Sequence, residues 1–309
     1  MILSASRRTD IPCRFAPWFA GRIRAGTVLT RNPMNPAQLF RIPLSPDLID
    51  CIVFWTKDPQ NMLPHLALLD RLGYHYYFQF TLTPYGCDLE PGLRSKQDIQ
   101  GTFRALSAEI GSSRVLWRYD PIILNETLNL GWHREQFSRM CDRLARWTRR
   151  VTISFVDLYP KLHSSLIRPI SSSEITELSG FLAETAKTCG LDIRACCEAA
   201  DLRPLGIRPA ACIDRELVES LCGCPLDLPK DTNQRANCGC AASMDIGAYD
   251  TCPNGCVYCY ANRSIAAACR RYAQHDPASE LLFGSVQPGE TVRLRQIRSC
   301  RKEQLSFFD

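Results

Sequence analysis

A chain of 309 residues has room for one large or two modest domains, and 45% apolar with 22% charged residues is the composition of a folded protein, which excludes a disordered chain and a mini-protein scaffold. The net charge of +5 permits an anionic substrate or nucleic acid but is no basic-domain signature. No apolar run approaches the roughly 18 residues of a membrane span, and Arg7, Arg8 and Asp10 stand where a signal peptide's apolar segment would begin; a cytoplasmic protein with no membrane partner is expected.

In chain order, residues 2–6, 51–55, 76–82, 114–119, 151–156 and 191–196 are short, β-rich apolar runs that predict buried strands. Between them, Ile99, Phe103, Leu106 and Ile110 recur at helical spacing, as do Phe137, Met140, Cys141 and Leu144, each giving one apolar helix face. Ser173 before Glu174 predicts a helix N-cap. Arg139, Arg143, Arg146 and Arg150 are spaced as one helix face, either solvated or touching phosphates. Residues 225–240 predict a long irregular connection. Strand and helix in such alternation predict an α/β fold, a complete or partial parallel (β/α) barrel. Its body would span residues 1–200, and a Cys-rich region, 201–309, would complete it.

Strand carboxyl ends share one rim in such a fold, and the polar residues that follow these strands converge there. They are Ser6, Arg7, Arg8 and Asp10; Thr56 and Lys57; Thr81 and Thr83; Arg118 and Asp120; Asp157, Tyr159 and Lys161; and Glu198. Of these, Arg118, Asp120 and Lys161 are candidate catalytic residues suited to a polar substrate. Phosphate-binding loops, dinucleotide fingerprints, His-Glu-x-x-His and Gly-x-Ser-x-Gly are all missing from the sequence, so common NTPase and hydrolase readings fade. The five histidines, His65, His75, His133, His163 and His275, have no ligand spacing and are expected at the surface or at helix ends.

Cysteine is the outlying residue. Four of 17 lie in the first 188 positions and 13 fall between Cys189 and Cys300. In a reducing compartment such clustering points to metal rather than disulfides. The sharpest pattern is Cys252-x-x-x-Cys256-x-x-Cys259 in a tight loop, with Gly255 at its turn. Three thiolates at this spacing can ligate three irons of a four-iron four-sulfur cubane, leaving the fourth iron open to a small chelating molecule. Zinc is the alternative, although closed zinc sites take four ligands, usually in paired Cys-x-x-Cys knuckles. Further thiols, Cys196 or Cys197, Cys212, Cys238 and Cys240, suffice for an auxiliary iron-sulfur cluster or zinc, and Cys222-Gly223-Cys224 competes for that role.

The three-cysteine loop, with Tyr258 just before Cys259, resembles that of the radical SAM superfamily. The resemblance implies that Cys252, Cys256 and Cys259 hold the cluster, that S-adenosylmethionine chelates the open iron, and that Tyr258 lies near the adenine. Reductive cleavage of the cofactor would then start hydrogen-atom abstraction from a substrate, with flavodoxin or ferredoxin as electron donor. Nearly the whole chain is also similar to an uncharacterised bacterial domain-of-unknown-function family with this cluster at its C-terminal end. That likeness rests on Ser4 to Pro12, Val53 to Lys57, Gln79 to Gly86, Trp117 to Pro121, Asn233 to Arg235 and Asp245 to Tyr249. It aligns Cys196-Cys197-Glu198, Cys212-Ile213-Asp214 and Cys238-Gly239-Cys240 with family motifs; the Cys-x-Glu pattern selects Cys196, with Cys197 adjacent. The Tyr-Cys-Tyr context of Cys259 resembles spore photoproduct lyase, a DNA-repair enzyme, over a few residues.

The superfamily loop normally follows the first barrel strand, whereas here it lies near the C-terminal end. A circular permutation reconciles them: residues 244–249 form the loop-bearing strand, residues 263–272 its helix, and residues 2–6 the next strand. Residues 6–10 then stand where the superfamily carries a Gly-Gly-Glu motif, which this chain lacks. Arg7 or Arg8 would grip the cofactor carboxylate and Asp10 its amine, with Ser6 beside them. The expectation is a radical SAM-type enzyme of unknown substrate. The alternatives are a non-catalytic iron-sulfur or zinc protein, or a nucleic-acid repair or modification protein.

Overall fold

The computed structural model describes residues 1–158 and 166–302. The elements in chain order are β1 (Ile2–Ala5), α1 (Ile11–Arg14), α2 (Ala16–Ala25), β2 (Thr27–Arg31), β3 (Gln38–Pro43), β4 (Cys51–Thr56), a 3₁₀ turn, and α3 (Leu66–Arg71). Then come β5 (Tyr76–Thr81), α4 (Lys96–Ile110), β6 (Val115–Ile122), α5 (Leu130–Leu144), β7 (Arg150–Phe155), α6 (Ser172–Thr188) and β8 (Asp192–Ala195). The Cys-rich part adds β9 (Arg208–Pro209), α7 (Arg215–Cys222), β10 (Met244–Asp245), α8 (Ile265–Ala273) and β11 (Thr291–Leu294).

Eight strands form one sheet in the order β10-β1-β4-β5-β6-β7-β8-β9, and every neighbouring pair is parallel. Among the described residues no pairing joins β10 to β9, so the expected complete barrel is not closed by strand pairing. The chain enters the sheet at β1 and returns at the far end of the sequence to lay β10 beside it, with Leu3 opposite Met244 and Ser4 opposite Asp245. The loop-bearing strand is thus shorter than the expected 244–249, because the backbone leaves the sheet after Asp245. A second sheet, β11-β3-β2, stands apart; β2 and β3 pair antiparallel and β11 joins β3 in parallel.

Period-2 alternation sends successive side chains to opposite sheet faces, and both faces are covered. Leu3, Ile52, Phe54, Phe78, Phe80, Val115 and Trp117 pack outward against the helices. The stripes expected on α4 and α5 are buried there: Ile99, Phe103, Leu106 and Ile110 on one, Phe137, Met140, Cys141 and Leu144 on the other. Phe54 stacks on Phe78 at 4.7 Å between centroids and Trp117 on Phe137 at 5.3 Å. Each such pair adds about 0.5–1.5 kcal/mol beyond area burial. The other face carries Ile2, Cys51, Val53, Tyr77 and Leu116, and the Cys-rich segment closes over it through Cys212, Ile213, Val218, Cys238 and Cys240. That segment is pinned by charge: Asp214, the N-cap of α7, accepts from Arg150 at 2.5 Å and from Arg194 at 3.1 Å.

Local expectations need four corrections. The N-cap of α6 is Ser171, which forms a capping box with Glu174; Ser173 already lies inside the helix. Arg139 pairs with Glu135 on α5, but that helix ends at Leu144 and Arg150 opens β7, so the four arginines share no helix face. His133 lies in the first turn of α5 yet is fully buried, between the Tyr119 hydroxyl and the Ile123 carbonyl at 2.8 Å each; burial pulls its pKa down to about 4. Finally, no expected element covered the sheet β11-β3-β2.

Candidate functional site

The loop after β10 carries Cys252, Cys256 and Cys259. It is folded by backbone bonds at both ends: Asp250 N–H to Ala261 O at 3.1 Å, and Cys259 N–H to Cys256 O at 3.0 Å. Gly255 has a left-handed φ of +69°, and a Cβ there would sit 3.1 Å from Pro91. The loop docks on the segment following β5 through Gly92 N–H to Asn254 O at 2.9 Å and Val257 N–H to Leu89 O at 3.0 Å. Arg14 from α1 holds Asn254 and the Gly92 carbonyl. Cys256 interacts electrostatically with both Cys252 and Cys259. Burial, reinforced by Asp10, pushes the Cys252 thiol up to about 12, and burial outweighs the opposing Lys57 to raise Cys256. Apolar surroundings therefore leave both sulfurs protonated until something cationic binds them.

Behind this loop lies a node that the sequence does not announce. Glu90, 2% exposed, accepts from Lys57 at 2.7 Å, Thr83 at 2.9 Å, Lys96 and Tyr258. Lys57 also donates to the Tyr258 hydroxyl at 2.7 Å. Burial acts to raise the Glu90 pKa, but the two ammonium groups outweigh it and hold the carboxyl at about 2. Two cations on one carboxylate leave a surplus positive charge beside Cys256. The Tyr258 ring meets Tyr85 edge-on at 6.1 Å, so its side chain staples the loop to the node.

The segment after β1 is engaged in the same way. Asp10 caps α1: one oxygen accepts the Cys13 N–H at 3.0 Å and the other the Lys57 N–H at 2.8 Å and Asn254 at 3.4 Å. Burial raises its pKa to about 6. Ser6 donates to Asp245 at 2.7 Å and accepts from the Arg8 N–H at 2.8 Å. Arg8 lies 3.9 Å from Asp245, with its guanidinium over Tyr249 at 5.4 Å. Arg7 turns the other way: its guanidinium covers Trp55 at 5.2 Å, reaches Asp231 at 3.3 Å and is coupled to the sulfurs of Cys240 and Cys212. The Tyr260 hydroxyl, next to Cys259, donates to the Arg7 carbonyl.

The second set of thiols is gathered on the inner face of the sheet, toward the strand carboxyl ends. Cys196 and Cys212 are 3.6 Å apart, and Cys240 Sγ accepts from the Cys212 N–H at 3.2 Å. Cys197 interacts with Cys196 and Cys238, Cys238 with Cys240, and Cys240 with Cys212, so that five free thiols neighbour one another in a ring. Both members of the vicinal pair take part, and Cys197 has a left-handed φ of 56°. Arg118, 6% exposed, pairs with Asp120 and donates Nη1 to Cys212 Sγ at 3.0 Å and to Gln79 at 3.3 Å. Ser154 donates to Asp120 at 2.6 Å. Glu198 accepts the Phe155 N–H at 2.9 Å, and burial, with Asp157 and Asp120 nearby, lifts it to about 7.

Cys222 and Cys224 do not join that ring. Cys222 donates to the Asp50 carbonyl at 3.2 Å, beside the amino end of β4. Lys161 and Tyr159 lie outside the described residues. All 17 cysteines are free thiols. Among the described residues no three His, Cys, Asp or Glu side chains converge to hold a single metal ion.

The molecule is therefore an α/β protein whose eight-stranded parallel sheet carries two sets of thiols at its strand carboxyl ends. The chain belongs to the family described as Domain of unknown function (DUF1848), whose model matches residues 2–261, through both thiol sets up to the end of the three-cysteine loop. No curated protein matches it.

Proposed function

We propose that this protein is a radical SAM-type enzyme in which Cys252, Cys256 and Cys259 ligate three irons of a four-iron four-sulfur cluster and S-adenosylmethionine completes the fourth. The observation that carries the reading is the pairing of β10 with β1. It places a three-cysteine loop at the carboxyl end of a parallel strand and makes residues 2–5 the next strand of the sheet, the order a circular permutation requires. The residues present suit the group: three free, mutually interacting thiols, with the surplus cation of the Lys57–Glu90–Lys96 node beside Cys256.

When bound, the cluster and S-adenosylmethionine supply reductively triggered hydrogen-atom abstraction. The chain's own residues do the holding. Tyr258 and Lys57 fix the loop, while Asp10, Ser6 and Asp245 tie the strand ends together. Arg8, on the loop's side of the rim, is the residue to grip the cofactor carboxylate, since Arg7 is turned toward the second thiols. The second set is an auxiliary centre, and the substrate is a polar molecule at the strand ends. The chemistry calls for a one-electron donor such as a flavodoxin or ferredoxin.

Anaerobically reconstituted protein given dithionite and S-adenosylmethionine is expected to release 5′-deoxyadenosine, and Cys256→Ala to abolish the release. Iron-loaded wild-type protein that releases none overturns the reading.

A further inference from the structure

Two guanidinium groups lie beside the ring of five thiols, a fully enclosed one on β6 and a partly buried one just beyond β1. Arg118 on β6 commits two nitrogens to Asp120 and a third to Cys212 Sγ at 3.0 Å and Gln79. Arg7, just beyond β1, spends Nη1 on Asp231 at a long 3.3 Å and lays its plane over Trp55. Its Nη2 is buried and has no acceptor among the described residues. A buried N–H without a partner is costly, and native proteins rarely leave one. Its partner Asp231 is itself tied to the ring, Asp231 N–H donating to the Cys240 carbonyl at 2.9 Å, so the orphan nitrogen lies beside the Cys240 segment. Neutral thiols make poor partners for two cations, whereas a thiolate-ligated centre is anionic and rich in sulfur acceptors.

We infer that Cys196, Cys212, Cys238 and Cys240 hold a redox-active iron-sulfur cluster to which Arg7 and Arg118 donate N–H bonds, so that the two arginines are positioning residues of that centre. The inference deepens the auxiliary centre proposed above and is independent of S-adenosylmethionine cleavage. Cations and N–H donors near cluster sulfur favour the more negative, reduced state and raise the potential. Arg7 also joins the two thiol sets, because its carbonyl accepts from Tyr260, the neighbour of Cys259, while its side chain serves the ring.

The test uses the full chain with Cys252, Cys256 and Cys259 all changed to Ala, reconstituted anaerobically with iron and sulfide, so that only the second set can carry a cluster. Spectroelectrochemical titration is expected to show one iron-sulfur couple, shifted to lower potential by Arg7→Gln and partly restored by Arg7→Lys. An unchanged couple in Arg7→Gln at equal iron content overturns the role of Arg7. Zinc alone, or no metal, overturns the cluster. Should the triple variant fail to fold, the wild-type titration replaces it, read on the component that Cys212→Ser removes. A wild-type protein that releases no 5′-deoxyadenosine yet passes this test loses only the reading of the first loop.

Discussion

The two sets of thiols share the strand carboxyl ends of one sheet but are built differently. The loop of Cys252, Cys256 and Cys259 is a local motif, three sulfurs within eight residues, braced from behind by Lys57, Glu90 and Tyr258. The ring of Cys196, Cys197, Cys212, Cys238 and Cys240 is assembled from three separate segments and closed against strand side chains, with Arg118 in direct contact. Three donors leave a cubane corner open for a second molecule; four or more close it. An open centre for chemistry and a closed one for electrons is the division of labour this contrast suggests.

The contrast breaks first at Arg118. Arg118→Met leaves Asp120 without its cation beside the ring, and breaking such a buried pair is expected to cost about 3 kcal/mol in urea unfolding. Arg8→Met, at a looser and more exposed pair, should cost less than about 1 kcal/mol. Equal losses would dissolve the distinction between the two arginines.

Glu90 gives the next largest effect, on the side of the three-cysteine loop. Its folded pKa of about 2 lies below the ordinary 4.5, so its stabilising contribution is fully present above pH 4.5 and is lost as pH falls through 2. That difference corresponds to roughly 3 kcal/mol. Unfolding free energies measured from pH 6 to 2 should fall more steeply for the wild type than for Glu90→Gln; parallel curves would remove the node from the account.

Gly92→Ala is the subtlest probe. A Cβ at Gly92 would lie 2.6 to 2.9 Å from Asn254 backbone atoms, so the loop must move. A cost of about 1–3 kcal/mol is expected. Electron paramagnetic resonance should show an altered first-loop signal and an unaltered second one; a change in both would mean that the sets are not independent.

Much of this architecture is legible in the sequence because buried parallel strands are continuous apolar runs. Six were placed to within about three residues at either end, β6 extending furthest because it continues through the polar Asp120 and Pro121. The sheet of β2, β3 and β11 escaped notice for the opposite reason: Thr27–Arg31 and Gln38–Pro43 mix charge with half-burial, and Thr291–Leu294 is exposed throughout. At the site, cysteine spacing identified the three-thiol loop, and the gathering of Cys196, Cys212, Cys238 and Cys240 followed the family motifs. The partners of those thiols did not follow, since Lys57 meets Glu90 and Arg118 meets Cys212 only through the fold. Asp10 and Ser6 were expected to face a ligand, yet their oxygens are consumed by backbone amides and neighbouring side chains, a demand that only three-dimensional accounting reveals.

The central claim is that three thiols hold a cubane with one corner free. Mössbauer spectra of isotopically enriched iron in Cys212→Ser/Cys240→Ser protein, taken with and without S-adenosylmethionine, address it directly. The account predicts one iron in four with its own signal, which shifts when S-adenosylmethionine is added. Four equivalent irons indifferent to the cofactor, or a loop that binds no iron, would contradict it.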